Sequence, residues 1–368
     1  MRAAFRSVII GGGVGGCAVA AGLRGLAVGR EVEILERRPA GAPAGMGFIL
    51  MPNGLAALEE IAPEHDWRGE GAAIDRVELR LASGASISGH TIETAVCVGR
   101  ERFLAALRAV TGSARYRDER SVEGFQWTDD GTVRAATLDD GRALEGDVFF
   151  GCDGARSRTR SLLFPESALA EVVVKEIVSV AHCPALAARL GSSFHKFHDE
   201  EGGFAVGMLA ESATRVVWFV QFDSRRWPAV AGDARGMAEF VAERVAGWSD
   251  EVRIAFAHTD FTRSHLWPTR DLPPLASLAV GNIALVGDAA HACLPFTSQG
   301  ANGALADAAL LKRLLADAGD AASVRAALAS YSELRRPHHR RMFMEGRRLR
   351  EAFLAPIAAG RPALPLIA

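Results

Sequence analysis

A glycine-rich turn set between a strand and a helix leaves this chain few folds to choose from. Ser7 to Ile10 is a short apolar run, Gly11 to Gly16 spells G-x-G-x-x-G, and Cys17 to Leu26 is alanine-rich with a helical pattern. In such a unit the three glycines have separate tasks. Gly11 permits the tight turn, Gly13 lets backbone approach a pyrophosphate, and Gly16 lets helix and strand pack closely, with the phosphates at the helix amino end. The next apolar run, Val32 to Leu35, ends in Glu36, 20 residues beyond Gly16. A carboxylate there accepts hydrogen bonds from ribose hydroxyls and repels a 2′-phosphate, which predicts a bound FAD or NAD rather than NADP.

A second stretch points at the same crevice. Ile283 to Val286 reads as a buried parallel strand closed by Gly287, which leaves Asp288 at the carboxyl end, where open α/β sheets bind ligands. From Gly303 onward leucines recur with helical spacing, so a helix starts close to Gln299–Asn302. Its amino end faces the crevice and favours an anion or an electron-rich heterocycle. Between these stretches, Asp147 to Gly151 is an apolar strand that opens into Cys152-Asp153-Gly154-Ala155-Arg156-Ser157-Arg158-Thr159-Arg160. An acid and a glycine at a strand end, followed by basic residues at a helix start, again describe a polyphosphate neighbourhood.

The remaining segments break the strand-helix alternation. Pro39 to Gly47 is a Gly/Pro/Ala-rich loop, Phe48 to Met51 precedes a helix over Asn53 to Ile61, and Arg76 to Leu81 with Ala85 to Ser88 reads as a hairpin. Val98-Gly99-Arg100 leads into a helix over Glu101 to Val110, where Arg100 suits either a surface position or a phosphate contact. Short strands follow from Arg115 to Leu144, with Asp129-Asp130-Gly131 and Asp139-Asp140-Gly141 as turns. Lys175–His182, Ser193–His198, Phe204–Leu209 and Arg215–Phe222 alternate apolar and polar residues as antiparallel strands do, before a helix over Gly236 to Val245. The expected architecture is therefore α/β with an α+β insert. A Rossmann-type domain (1–75, 95–172 and 276–368, the last with C-terminal helices) carries an inserted antiparallel-sheet substrate domain (76–94 and 173–275), and the pocket lies at their junction.

Composition removes other classes. The 42 Lys+Arg against 44 Asp+Glu give a net charge of −2, without the cationic excess that a nucleic-acid partner demands. Five scattered cysteines with no CxxC pair favour a reduced, cytoplasmic protein over a disulfide framework or a zinc site. Met1 to Ala20 begins basic and runs apolar like a signal peptide, but a signal has no need of five glycines in its apolar region. No apolar run approaches the roughly 20 residues that span a bilayer, so stable membrane insertion is not expected. The chain is expected to be a monomer or homodimer.

Three patterns, Gly11/Gly13/Gly16 with Glu36, DGARSRTR at Asp153–Arg160, and GDAAHACLPFTSQGAN at Gly287–Asn302, together resemble the class A flavoprotein aromatic hydroxylases related to 4-hydroxybenzoate and salicylate hydroxylases. The resemblance spans nearly the whole chain. It implies that Gly11, Gly13, Val14 and Gly16 hold the FAD pyrophosphate, Glu36 and Arg37 the adenosine end, and Arg100 the phosphate or ribityl region, with Gly47 also at the cofactor. It implies that Asp153-Gly154 touches FAD and NAD(P)H, that Asp288 binds the ribityl chain, that Pro295 lies near flavin C4a, and that Gly300, Ala301 and Asn302 lie under the pyrimidine edge. The implied chemistry is FAD reduction by NADPH or NADH, addition of O2 at C4a, and hydroxylation or epoxidation of an aromatic or polycyclic small molecule by the resulting hydroperoxide. A reductase of the same fold, or a flavin- or NAD-binding regulatory module without turnover, stays open as an alternative. No WxWxIP among the six tryptophans argues against a halogenase.

Other residues invite chemistry less specifically. His195 or His198 suits a base that deprotonates the substrate; as metal ligands they fail, because residues three apart on a strand face opposite ways. Phe296 is the expected pocket wall, with Phe197, Met208 and Trp218 on the apolar sheet beside it. His291 reads as a hydrogen-bonding support for its turn and Cys293 as packing. Tyr116 and Tyr331 are the only tyrosines and lie away from the insert, which leaves no tyrosine proton relay. The arginine-rich stretch Leu334–Arg350 reads as a solvated helix face, with a membrane-surface helix as the minority reading.

Overall fold

A computed structural model describes residues 5–39, 41 and 46–357. Residues 1–4 of the N-terminal stretch, much of the predicted loop before Gly47 and everything past 357 lie outside the described residues. The first sheet has six strands in the order Ala279–Val280, Ile283–Leu285, Val148–Gly151, Arg6–Ile10, Glu31–Glu36, Arg115–Asp118. All its pairs are parallel except the first, which is antiparallel. The chain enters at Arg6–Ile10, builds outward to Arg115–Asp118, and then returns to the other flank at Val148–Gly151. The order therefore reverses between those two central strands, where a crevice opens at their carboxyl ends. Continuous burial of Val8–Ile10, Val148–Phe150 and Ile283–Leu285 explains why these strands read as uninterrupted apolar runs. Helix Val14–Leu23 is buried nearly all round and packs against helix Gln299–Leu315, a closeness that its alanines and glycines allow.

The second sheet has eight strands in the order His265–Pro268, Val174–His182, Arg215–Asp223, Phe204–Ala210, Ser193–His198, Ala72–Leu81, Ser86–Gly99, Gly47–Leu50. It draws on both excursions of the chain, takes in Gly47–Leu50, and extends the predicted hairpin at both ends. It is not wholly antiparallel. Ser193–His198 runs parallel to Ala72–Leu81 where the two excursions meet, a pairing that needs a long crossover and leaves no local signal. Helices Pro184–Leu190 and Asp250–Ala257 were not anticipated, and at 7 and 8 residues they are too short for a clear period. Val122–Trp127, Val133–Leu138 and Ala143–Glu145 form a separate small sheet.

Strand alternation sorts the large sheet into two faces. Phe197, Phe204, Met208, Trp218 and Phe222 join one buried cluster with residues of helices Pro184–Leu190, Ala234–Val245 and Asp250–Ala257. The other face points inward: Phe194, Leu209 and Val217 pack with Met51 and Ile74, while Ala205 meets Leu294, Phe296, Leu349 and Phe353. This inner face looks onto the turn Pro295–Thr297.

Helix Ala321–Leu354 closes the molecule and starts with a capping box at Asp320. Within its basic stretch Arg335 pairs with Asp307, Arg347 with Asp271, Arg348 with Glu345 and Arg350 with Glu351, so much of its charge fastens the helix to the protein or to itself. No helix among the described residues is long and apolar enough to cross a membrane.

Candidate active site

The turn after the first strand has the form its glycines require. Gly11 has φ +110°, and a Cβ there would collide with the Cys152 carbonyl; a Cβ on Gly16 would collide with the Gly11 carbonyl. Both demand glycine for internal reasons. Gly13 differs: among the described residues a Cβ there would meet nothing within 4 Å, so its bareness serves no described neighbour and leaves the helix amino end open. Glu36 is oriented by the same turn, since one carboxylate oxygen accepts from Gly12 N at 2.9 Å and the other from Arg38 N at 2.9 Å. Each oxygen keeps a lone pair for a ribose hydroxyl. Val14 is buried at the helix start and Arg37 is exposed beside Glu36. A Cβ on Gly47 would press on the Val98 carbonyl oxygen at 2.7 Å, so packing against its partner strand already requires that glycine.

Asp288 heads the short helix Asp288–His291. It lies close enough to half-buried Arg100 for its charge to oppose the downward pull that burial exerts on the guanidinium pKa. A Cβ on Gly300 would stand 3.7 Å from Asp288 Oδ1. The structure thus brings Arg100, Asp288 and the amino end of helix Gln299–Leu315 together, although Arg100 and Asp288 are 188 residues apart. The first-turn N–H groups of that helix have no intrahelical acceptor, and no side-chain cap from Ser298 covers them.

Two sequence-chosen residues have their side chains committed elsewhere. Asn302 Oδ1 accepts from Met51 N at 2.9 Å, while its Nδ2 donates to Ile49 O at 2.9 Å and Ser298 O at 2.6 Å. Its amide staples the 47–51 segment to the helix start, leaving backbone to meet a ligand. Asp153 accepts from Ser157 Oγ at 2.5 Å, Thr159 N at 2.9 Å and Thr159 Oγ1 at 3.1 Å, and so stabilises its own helix start. Gly154, at φ +81°, turns the chain beside it. Arg160, unassigned from the sequence, donates to Ala289 O at 3.1 Å and Ala155 O at 2.7 Å. It ties the DGARSRTR segment to the GDAAH turn.

Beneath that turn lies Asp307, fully buried. Its Oδ2 accepts from Gly287 N at 2.9 Å and His291 Nε2 at 2.7 Å, its Oδ1 accepts from Arg335 Nε at 2.6 Å, and His339 Nε2 stands 3.5 Å away. Burial alone would raise its pKa, but His291 and Arg335 hold the carboxyl well below the usual range. His291 is thus a support, as its place in the turn suggested. His291, Asp307 and His339 could group around a metal ion, but the Arg335 guanidinium already fills the cation's place. Burial raises the Cys293 thiol to about 12, which suits packing rather than nucleophilic attack. Tyr331 donates to Leu285 O at 2.9 Å, and Tyr116 lies within 3.5 Å of Cys17, both packed with the core around the six-stranded sheet.

The substrate side requires corrections. Phe197, Met208 and Trp218 pack outward beneath the three helices, away from Pro295. Alternation was legible, but nothing in a single strand says which phase faces a ligand. The accessible inner residues are Val178, Val180 and Phe219, partly open in mid-sheet while their outward neighbours Ile177, Trp218 and Val220 are at 0 % exposure. His195 also points outward, 2.9 Å from Glu251 Oε2, with Arg189 on the same carboxylate. It faces away from the Pro295–Thr297 turn. His198 does face inward, but burial and Lys196 lower its pKa well below normal. Phe296 is 1 % exposed and packs against Phe353 at 5.4 Å between centroids, which makes it a wall backed by core. Pro295 opens the turn Pro295–Thr297 and stays partly accessible.

Sequence reasoning passed over the polar residues of the inner face. Glu176, Lys196, Gln221 and His198 are all buried, and Gln221 Nε2 donates to Glu176 Oε1 at 2.6 Å. Burial raises the Glu176 carboxyl to about 7 and lowers the Lys196 ammonium to about 8.

Comparison with known proteins agrees with this geometry. The family described as "FAD binding domain" matches residues 5–345. Salicylate hydroxylase of Pseudomonas putida is 29% identical over 375 residues, covering 92% of this chain and 82% of the relative. The 3-hydroxybenzoate 6-hydroxylase of Klebsiella oxytoca is 28% identical over 379 residues, covering 96% and 90%. Among solved structures, Klebsiella pneumoniae HpxO complexed with FAD and uric acid superposes with TM-score 0.82 at 21% identity, covering 95% of this chain and 88% of the other, which shows a shared fold. With that family matched over most of the described fold, and with its glycine turn, acid and helix start converging on one crevice, the chain belongs to the FAD-binding-domain family of class A FAD-dependent aromatic monooxygenases.

Proposed function

We propose that this FAD-dependent, NAD(P)H-oxidising monooxygenase hydroxylates or epoxidises an aromatic or polycyclic small molecule in the cavity between the Pro295–Thr297 turn and the inner face of the large sheet. The observation that carries the reading is the partial exposure of Val178, Val180 and Phe219 on the sheet face that looks onto the turn leading into the helix amino end. The FAD that the crevice residues would hold would supply the redox and oxygen-activating chemistry. The protein's own residues hold and orient. The open backbone at Gly13 and the carboxylate of Glu36 suit the dinucleotide end, Asp288 and Arg100 suit the linking chain, and the N–H groups of Gly300 and Ala301 suit an electron-rich ring edge. Apolar walls exclude water from the reacting centre.

Purified protein loaded with FAD should oxidise NAD(P)H faster when an accepted aromatic compound is added, with one 18O atom from 18O2 in the product. Product formed without labelled oxygen would favour a reductase. No stimulated turnover across an aromatic panel would leave a binding module.

A further inference from the structure

We propose that Lys196 is the recognition point for an anionic oxygen, carboxylate or phenolate, carried by the aromatic substrate, with Gln221 and Glu176 completing the polar end of the pocket. This rests on reading the inner-face cavity as the place where substrate meets flavin. Strand Ser193–His198 directs Lys196 inward, and cross-strand register lines up Lys196, Gly207, Phe219 and Val178 in one row, with His198, Ala205, Gln221 and Glu176 in the next. Both rows lie on the inner face of the sheet. Lys196 Nζ lies 6.0 Å from the centroid of the Phe219 ring, 5.5 Å from that of Phe296 and 5.9 Å from that of Phe353, so it stands where the sheet meets the Pro295–Thr297 turn. Phe219 is the partly accessible wall of this cage and occupies the space above side-chain-free Gly207.

The ammonium is enclosed and has no hydrogen-bond acceptor among the described residues; Gln221 Oε1 and His198 Nε2 likewise have no partner there. Aromatic faces attract a cation but take none of its three protons, and a buried donor left without an acceptor is costly. Lys175 and Lys312 behave differently, each donating to backbone carbonyls. In a chain with 42 Lys+Arg, of which only these three are lysine, the one on the inner face of the large sheet is the one left unsatisfied among the described residues. An oxyanion on the substrate supplies the missing acceptor. Gln221 can take one further donor, such as an adjacent hydroxyl, and Glu176 disfavours a second anion.

The test uses FAD-loaded protein labelled with 15N,13C-lysine, whose three lysine side-chain signals are assigned with Lys175→Arg and Lys312→Arg. Benzoate and 2-naphthoate are titrated against benzamide and 2-naphthamide, with flavin absorbance and the Lys196 resonance as readouts. A second arm compares 4-nitrophenolate with 4-nitroanisole by the lysine signal alone and separates phenolate from carboxylate. Anionic probes should shift the Lys196 resonance and bind at least about tenfold more tightly than neutral ones, the scale of one charge-assisted hydrogen bond. Lys196→Met should keep FAD and lose that preference, while Glu176→Gln should tighten anion binding. Equal binding of charged and neutral probes, an unmoved Lys196 signal with every probe, or an anion preference that survives in Lys196→Met would overturn the assignment. Any of these in protein that retains FAD and performs substrate-stimulated NAD(P)H oxidation rejects Lys196 alone, whereas protein that cannot hold FAD rejects the functional reading.

Discussion

Asp307→Asn should loosen the protein more than any single change at the visible cofactor residues. Asp307 is 0 % exposed and joins four groups from two segments: Gly287 N and His291 of the GDAAH turn, and Arg335 and, at 3.5 Å, His339 of helix Ala321–Leu354. The asparagine is nearly isosteric, so the cavity term is small and the loss is electrostatic. It removes the charge that compensates a largely buried Arg335, and it turns one acceptor into a donor facing either Gly287 N and His291 or Arg335. Breaking a buried ion pair from one side costs about 3–5 kcal/mol. The pH dependence has a definite sign. The folded carboxyl lies well below its ordinary value, so its contribution is complete above the unfolded pKa of about 3.9 and disappears as pH falls through the folded value. His339 is held to about 3, mainly by burial; below its unfolded value of about 6.5 the unfolded chain takes up a proton that the folded chain refuses. Wild-type stability should therefore decline from about pH 6.5 downward and fall further in stronger acid. Urea unfolding of both proteins with FAD, followed by tryptophan fluorescence and far-UV circular dichroism at pH 8 and pH 5.5, measures the cost of the substitution and the decline due to His339. A variant within about 1 kcal/mol of wild type at pH 8 would refute the reasoning, because even a single unsatisfied buried group should cost that much.

Three further outcomes follow from the site. Asp288→Ala should leave a folded protein that purifies with little FAD, and full occupancy would remove Asp288 from the cofactor's holders. Gly13→Ala and Gly16→Ala should behave oppositely: with open space at Gly13, apo-protein stability should stay within about 0.5 kcal/mol while FAD affinity drops, whereas at Gly16 the clash with Gly11 should cost about 1–3 kcal/mol or more. Thermal melts of the apo proteins and flavin-fluorescence titration read the two quantities separately, and equal melting losses would contradict the assignment. His195→Ala should leave the pH profile of turnover unchanged and lower stability by about 1–3 kcal/mol through the lost partner of Glu251 Oε2, Arg189 remaining on Oε1; a displaced pH optimum would return His195 to the chemistry.

What the sequence made legible was local. Gly11, Gly13, Gly16 and Glu36 declare themselves because turn, helix start and acid lie within 26 residues, and Asp288 because it follows a buried strand. The fold class followed from alternating strand and helix signals broken by a run of strands. Facing was not legible. Phe197 and Phe194 sit on one strand three residues apart and serve opposite sides, and only the packing of helices Pro184–Leu190 and Asp250–Ala257 decides which is which. Asp307 was hidden because a helix rich in alanine gives no sign that one polar residue receives Arg335 and His291. Lys196 did carry a signal: a lysine flanked by His195 and Phe197 in mid-strand, within a chain that otherwise places arginine almost everywhere.

The Asn302 staple has a bearing on how the protein is made. Its bonds to Ile49 and Met51 span about 250 residues of sequence, and strand Ile283–Leu285 completes the central sheet beside Val148–Gly151. On the ribosome the glycine turn emerges early, yet the opposite wall of the crevice emerges only with the last third of the chain. The N-terminal segments must wait, with their sheet edge unpaired, until that late piece arrives. Flavin loading is consequently a late event in biosynthesis, and truncated translation products should gain no protection from the cofactor.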